Sequence, residues 1–153
     1  MRRAVQSRRR PLLRWERCAA YAVVGVATEV VFTSARDIAL RRDWRLQGHS
    51  YLWMLPIYGM SAYLFEPMHE ALRSRALWQR AAAYSAGIMG VEYLTGMALK
   101  KVVGVVPWDY SGHGRWVAPG GATRLDYAPL WAVAGLALER MHDRMRDVTV
   151  TGR

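Results

Sequence analysis

The chain has 153 residues, of which 52% are hydrophobic, and carries 22 Lys and Arg residues against 12 Asp and Glu residues. This length predicts one domain, and the net charge of +10 indicates a polyanionic partner, either nucleic acid or an anionic membrane surface. Because the basic residues stand at the ends of apolar stretches, the pattern favours the membrane and disfavours nucleic acid. The single cysteine, Cys18, excludes an internal disulfide and a thiolate metal cluster.

The N-terminal stretch is rich in arginine, which predicts a basic cytoplasmic tail over residues 1–17. Its segment "SRRRPLLRW", residues 7–15, resembles a twin-arginine export signal. No small-residue cleavage site follows, and Glu29 interrupts the apolar residues after it. We therefore interpret the tail as an anchor that contacts anionic lipids. A transmembrane domain over residues 18–142 and a polar tail over residues 143–153 complete the predicted organisation.

The rest of the chain contains four apolar segments, at residues 18–35, 50–65, 81–99 and 127–138. None reaches the roughly 20 uninterrupted apolar residues of a standard span, so a soluble four-helix bundle is the alternative. Tryptophans near the segment ends, glycines inside the segments and the lack of a broad charged face favour lipid. The predicted fold class is therefore all-α, an integral membrane four-helix bundle with an ordered Trp-Asp-Tyr-Ser loop between helices 3 and 4.

The distribution of basic residues predicts the orientation of this bundle. More Lys and Arg residues flank the side that holds both termini than flank the opposite side. Because the cytoplasmic flanks of membrane proteins carry the excess of Lys and Arg, the N-terminus and the C-terminus are both expected in the cytoplasm. The expected location is the cell membrane, with several spans.

Glu29 and Glu92 are the acidic residues inside the first and third apolar segments. Each follows an arginine, Arg17 or Arg80, at the same spacing, which corresponds to about 18 Å of helix. The two carboxylates are therefore expected at one depth in the membrane. A carboxylate within a span costs a few kcal/mol and is a candidate functional group. The alternative is a structural role, in which each glutamate bonds a tyrosine or an arginine and pins the helices together.

Further polar and aromatic residues are expected at the level of these glutamates, on the second helix, in the loop after the third and at the start of the fourth. The resulting candidate cluster, for ligand binding or for structure, consists of Glu29, Tyr58, Glu92, Trp108, Asp109, Tyr110 and Arg124. The loop from Trp108 to Ser111 has two possible roles. It either anchors at the lipid interface or folds over the glutamates as a lid, which would bring Asp109 to their level.

Two E-x-x-H motifs, residues 66–69 and 139–142, supply with Glu29 and Glu92 the residue types of a di-iron bundle. However, the motifs are expected at the opposite ends of the helices from Glu29 and Glu92, and Pro67 is expected to break the helix inside the first motif. We therefore predict no metal site and no cofactor, and we interpret the two histidines as interfacial. A phosphate-binding glycine loop is not present in the sequence, so any ATPase would be a separate chain.

The stretches "LPIYG", "EYLTG", "PWDYSG" and "RLDYAPLWAVAG" follow one another in an order that carries a family resemblance. They resemble the CmpB-like family of ABC-transporter type IV membrane proteins and the related transmembrane protein 229 family. The resemblance extends from about Tyr21 to Met141 and implies a small multi-pass membrane protein. It implies a shared role for Glu29, Tyr58, Gly59, Glu92, Trp108, Asp109 and Tyr110. The asparagine that often follows "WDYS" in the CmpB-like branch is absent here, which removes the basis for ligand contacts from that part of the loop.

Three functions are compatible with these features. The first is a transport-related subunit, similar to an ABC-transporter permease, that acts as a homo-oligomer or with a partner membrane subunit and whose carboxylates bind a cation, a proton or a cationic group. The second is a structural or assembly protein whose buried glutamates pin the bundle. The third is a membrane enzyme that uses the carboxylates as acid and base, which is less favoured because no nucleophile and base accompany them.

Overall fold

The computed structural model describes residues 9–151, which form five α-helices and one pair of short strands. The helices are α1 (Arg14–Arg41), α2 (Met54–Gly59), α3 (Ser61–Leu72), α4 (Leu77–Val103) and α5 (Ala128–Asp147). A 3-10 turn, Leu125–Tyr127, leads into α5. β1 (Arg9–Pro11) pairs antiparallel with β2 (Thr149–Thr151). Residues 1–8 and 152–153 of the two predicted tails lie outside the described residues.

The prediction of an all-α protein is confirmed, because the described residues are mostly helical. The helices extend beyond the four apolar segments, and the second segment corresponds to two helices, α2 and α3, with Met60 between them. The short strand pair was not expected. The expected break at Pro67 is also not observed, because α3 continues through Pro67 to Leu72.

Local chemistry accounts for the ends of the long helices. At the start of α1, the Glu16 carboxylate accepts a hydrogen bond of 2.7 Å from the Leu13 backbone N–H and thereby satisfies one free donor of the first turn. At the end of α4, Gly104 has φ of +88°, and its N–H donates to the Lys100 carbonyl at 3.1 Å. Glycine adopts this left-handed conformation at little cost, so it ends the helix there.

Helix α1 is the one helix among residues 9–151 that is long and apolar enough to cross a membrane. Its 28 residues correspond to about 42 Å of helix, more than the roughly 30 Å of a hydrocarbon core. Many large apolar side chains of the other elements are exposed as well, among them Leu52, Trp78, Leu94, Val102 and Val133.

The helices pack as two similar halves. In the first half α1 packs against α2 and α3, and in the second half α4 packs against α5. The sequence "RCAAY" at residues 17–21 of α1 has its equivalent in "RAAAY" at residues 80–84 of α4. Likewise "EPMHEALR" in α3 has its equivalent in "ERMHDRMR" in α5. The chain therefore contains an internal repeat, and its polar residues recur at the same positions in both halves.

Candidate functional site

The first carboxylate of the candidate site, Glu29, lies on α1 and is half-buried. Its Oε2 atom accepts hydrogen bonds from the Ser50 hydroxyl at 2.7 Å and from the Tyr58 hydroxyl at 3.0 Å. Gly25 makes the second bond possible, because a Cβ atom at this position would lie only 2.4 Å from Cγ of Tyr58. The absence of a side chain one turn before Glu29 thus allows the Tyr58 ring to lie directly against α1.

The second carboxylate, Glu92, lies on α4 and is 9% exposed. It accepts hydrogen bonds from the Tyr110 hydroxyl at 3.0 Å and from the Thr123 hydroxyl at 2.5 Å. The indole N–H of Trp131 is also buried close to Glu92, but it has no hydrogen-bond partner among the described residues. Both glutamates are therefore surrounded by neutral donors that come from loops and from the next helix.

These two environments are equivalent in the internal repeat. Ser50 and Thr123, which donate to Glu29 and Glu92, stand at the same distance before the prolines of "LPIYG" and "APLWA". Tyr58 and Trp131 occupy the same position within those two stretches. We refer to Glu29, Ser50, Tyr58, Glu92, Tyr110 and Thr123 as the glutamate cluster.

The loop after α4 folds back over that helix. The Trp108 side chain is buried, and its indole N–H donates to the Ala122 carbonyl at 2.9 Å. The ring lies over Gly96 of α4, and the Tyr110 backbone N–H donates to the Gly121 carbonyl at 2.9 Å. The loop therefore packs against α4, and Tyr110 is the residue of the loop that reaches Glu92.

Asp109 faces away from the glutamates. Its Oδ1 atom accepts a hydrogen bond of 2.8 Å from the Ser111 backbone N–H. Hydrogen bonds from Ser111, together with the charge of Lys100, lower the pKa of the Asp109 carboxyl. A Cβ atom at Gly121 would lie 2.0 Å from Oδ1 of Asp109, and Gly121 has φ of +80°, so only glycine fits there. Asp109 thus shapes the turn, whereas the lid hypothesis expected it at the level of Glu29 and Glu92.

Both glutamates act on the Tyr110 hydroxyl. Burial is the main cause that raises the pKa of Tyr110 above its usual value, and the negative charge of Glu92 and its hydrogen bond add to it. The charge of Glu29 raises this pKa as well, although Glu29 belongs to the other half of the chain. The hydrogen bond of the Tyr110 hydroxyl goes to Glu92, and Glu29 acts on it through its charge alone.

Arg124 does not neutralise either glutamate. Its guanidinium pairs with Asp126 at 2.5 Å and lies over the Tyr127 ring, 4.4 Å from the ring centroid. It approaches Tyr110 at 5.9 Å, on the outside of the cluster. Within residues 9–151, neither Glu29 nor Glu92 forms a salt bridge. The arginine partner considered for these glutamates is therefore not found.

Two shallow cavities lie elsewhere on the surface. The first, about 340 Å³, lies between α1 and α2 and is lined by apolar residues that include Cys18, Ala22 and Pro56. The second, about 450 Å³, lies along α5 and is lined by Arg140, Arg144 and their neighbours. Neither cavity is lined by Glu29 or Glu92.

The E-x-x-H motifs form a second polar cluster, and its histidines are buried, whereas we interpreted them as interfacial. His69 is 2% exposed and His142 is 4% exposed. Glu66 accepts two hydrogen bonds from Arg17, at 2.7 and 2.8 Å, and Glu139 pairs with Arg80 at 3.1 Å. We refer to Arg17, Tyr21, Glu66, His69, Arg80, Tyr84, Glu139 and His142 as the histidine cluster.

The histidine cluster was not identified as a unit from the sequence. The signal that could have identified it is the repeat, because "R-x-A-A-Y" and "E-x-M-H" each occur twice in the same order. Its residues do not join Glu29 and Glu92, as a di-iron bundle would require. Among residues 9–151 there is also no group of three or more potential metal ligands.

Comparison with known proteins identifies a family. The model of the family described as "Putative ABC-transporter type IV" matches residues 18–150. This range includes every residue of the glutamate cluster and both halves of the repeat except Arg17. No solved structure matches the chain.

Proposed function

The chain belongs to the CmpB family of ABC-transporter type IV proteins, and from this membership we propose that it is a multi-pass membrane subunit of a transport system. The exposed apolar side chains support this proposal. Val31, Trp44, Leu52, Trp78 and Val102 are each more than 65% exposed, and a soluble monomer rarely leaves so much apolar surface in water. In a bilayer these side chains would contact lipid, with α1 as one span and both termini in the cytoplasm.

The proposed ligand site is the pair Glu29 and Glu92, which would bind a cation, a proton or a cationic group. The observation that carries this proposal is a contrast within the molecule. Glu66 and Glu139 each have an arginine partner, whereas Glu29 and Glu92 have only neutral donors among the described residues. A carboxylate that leaves water without a positive partner is costly, so a site that keeps two of them is expected to bind a positive ligand.

A structural role is the second candidate. Each glutamate bonds directly to two hydroxyl groups from neighbouring segments, and no cavity described above reaches either carboxylate. Such hydrogen bonds would hold the helices and loops of the bundle together. An enzyme is less supported, because the hydroxyl groups around Glu29 and Glu92 all donate to the two carboxylates and line neither of the two cavities described above.

Membership of a transporter family also suggests partners. We propose that the chain works with a separate ATPase subunit and associates with a second copy or with another membrane subunit, because four short spans enclose little volume. Anionic lipids would contact the basic residues near the N-terminus.

The experiment compares the melting temperatures of the wild type, Glu29→Gln and Glu92→Gln in detergent. Each protein is titrated with Na⁺, K⁺, Mg²⁺ and tetramethylammonium over a range of pH values. A bound cation stabilises the folded state by mass action, so the wild type should melt at a higher temperature with its ligand and the two variants should not respond. Asp126→Asn, which removes an exposed carboxylate outside the cluster, should respond like the wild type.

Two other outcomes identify the alternatives. A proton ligand would give a wild type that loses stability as the pH rises, whereas the glutamine variants would not. If no cation shifts the wild type and both variants melt well below it at every pH, the glutamates are structural pins and the transport site is wrong.

A further inference from the structure

The histidine cluster joins the two halves of the chain through equivalent contacts. Within each half, the arginine of the first helix pairs with the glutamate of the last helix. Arg17 of α1 pairs with Glu66 of α3, and Arg80 of α4 pairs with Glu139 of α5. Each histidine then reaches into the opposite half, where it meets the tyrosine. The His69 Nδ1 atom lies 2.8 Å from the Tyr84 hydroxyl, and the His142 Nδ1 atom lies 3.0 Å from the Tyr21 hydroxyl.

The bonds of Tyr84 determine which nitrogen of His69 carries the proton. The Tyr84 hydroxyl donates a hydrogen bond of 2.7 Å to the Glu139 carboxylate, which also pairs with Arg80. A tyrosine hydroxyl has one proton to donate, so that of Tyr84 is used in this bond. The Tyr84 oxygen must then accept a hydrogen bond from His69. Neutral His69 therefore carries its proton on Nδ1 and has a free lone pair on Nε2.

The Nε2 atom of His69 is placed between a donor and an acceptor. Arg73 Nη2 and Asp143 Oδ1 both lie 3.2 Å from it. When Nε2 is unprotonated, it can accept a hydrogen bond from Arg73. When Nε2 is protonated, it can donate to Asp143 instead. When His69 binds a proton on Nε2, its contact with the Asp143 carboxylate therefore replaces its contact with Arg73.

His142 has equivalent carboxylate and tyrosine neighbours in the other half. Its Nδ1 atom lies 3.4 Å from Glu66, compared with 3.5 Å between His69 Nδ1 and Glu139. Its Nε2 atom lies 3.6 Å from Glu70, which is the equivalent of Asp143 in the repeat. Arg146, the equivalent of Arg73, bonds Glu70. The two histidine rings are 5.5 Å apart, centroid to centroid.

The charges around the two histidines balance when both rings are neutral. Four arginines, four carboxylates and two tyrosines face them. They are Arg17 and Tyr21 of α1, Glu66 and Glu70 of α3, Arg73 just after α3, Arg80 and Tyr84 of α4, and Glu139, Asp143 and Arg146 of α5. The first proton therefore adds one uncompensated positive charge. A second proton would place two positive rings side by side and would bind more weakly.

We propose that His69 and His142 form one proton-binding site between the two halves of the chain, which binds one proton more tightly than a second. On His69 the proton resides on Nε2 and exchanges the contact of that atom with Arg73 for a contact with Asp143, whereas on His142 the carboxylate near Nε2 is that of Glu70. The site is separate from the glutamate cluster and does not depend on the proposed transport role of Glu29 and Glu92.

The test is a titration of the full-length chain in detergent micelles, with ¹³C- and ¹⁵N-labelled histidine followed by NMR. The chain has four histidines, and His49 and His113, which lie in loops, serve as internal controls. We expect neutral His69 to carry its proton on Nδ1. We also expect His69 and His142 together to titrate in two steps, with the second proton bound at least tenfold more weakly than the first.

Three variants separate this site from an ordinary pair of buried histidines. In His69→Gln, the remaining His142 should titrate in one step. Asp143→Asn should weaken proton binding by His69 severalfold, because it removes the negative partner of Nε2. Arg73→Gln should strengthen it, because it removes a competing positive charge.

The wild-type protein alone can overturn the proposal, so the test does not depend on whether a variant folds. A proton on Nε2 of neutral His69 would contradict the geometry. Titration of His69 and His142 with equal affinities, each independent of the other, would also overturn it, as would the absence of titration at both rings between about pH 4 and pH 8.

Discussion

At the scale of single residues, the glutamate cluster depends on a glycine as much as on its carboxylates. Gly25 contributes no group of its own, yet the bond between Tyr58 and Glu29 exists only because the Tyr58 ring contacts the backbone of α1. Gly135 has the corresponding role in the second half, where a Cβ atom would lie 2.4 Å from Cβ of Tyr84. Small residues thus allow the tyrosines of both clusters to lie between the helices.

Gly25→Ala should therefore destabilise the protein. The added methyl group would overlap the Tyr58 ring and push its hydroxyl away from Glu29, at a cost of about 1–3 kcal/mol. Gly90→Ala on α4 is the matched control, because a Cβ atom there meets nothing within 4 Å. That change should stabilise the protein by about 0.4–1 kcal/mol, since alanine favours the helix. Thermal unfolding in detergent measures both. Equal stability of the two variants would mean that Tyr58 moves aside freely.

The residues of the site could be predicted only in part from the sequence. Glu29, Glu92 and Tyr58 stand out because they are polar residues in apolar surroundings, and the structure places Tyr58 against Glu29. Thr123 does not stand out, since a threonine in a glycine-rich turn has no feature that indicates a buried bond. Its role becomes visible only when the second half is aligned with the first, where Ser50 occupies the equivalent position.

At the scale of elements, the loop between α4 and α5 is held in place by hydrogen bonds as well as by packing. Trp108 and Tyr110 attach it to the glycine-rich turn before α5, and Asp109 closes the turn that places Tyr110 over Glu92. The apolar pattern predicts the flanking helices, because their periodicity is local. It does not predict the return of the loop, which depends on contacts between residues far apart in the sequence.

The contribution of Asp109 to the stability of the folded protein should depend on pH. The folded state lowers the pKa of this carboxyl, so its contribution to stability is complete above the unfolded value, about 3.9, and is lost as the pH falls through the lower folded value. Wild type should therefore melt above Asp109→Asn at neutral pH, and the difference should vanish as the pH falls below about 4. The difference in melting temperature between the two proteins, measured over that range, is the observable. A difference that stays constant would assign the effect of the substitution to packing.

At the scale of the whole molecule, the repeat explains why the chain has two polar clusters of opposite character. Each half contributes one carboxylate with neutral donors and one carboxylate paired with an arginine. Outside the R-x-A-A-Y and E-x-M-H motifs the repeat is weak in the sequence, because equivalent residues such as Tyr58 and Trp131 differ in type. The motifs and the helix packing together show which positions correspond.

The repeat leads to a prediction about stability that compares the two clusters directly. Glu66→Gln and Glu139→Gln should each lower the free energy of unfolding by about 3 kcal/mol, because each leaves a largely buried arginine without its partner. The value is at the lower end for broken buried pairs, since the Arg17 and Arg80 side chains remain 20% exposed. The two variants should lose similar amounts, as equivalent positions of one repeat.

Glu29→Gln and Glu92→Gln provide the comparison, because glutamine can still accept the hydroxyl hydrogen bonds and no arginine loses its partner. These variants should lose less stability than Glu66→Gln and Glu139→Gln when all four are melted side by side without ligand. If all four lost the same amount, the arginine pairs would contribute nothing specific to stability. The difference between the arginine-paired glutamates and Glu29 and Glu92, which supports the proposed ligand site, would then have no effect on stability.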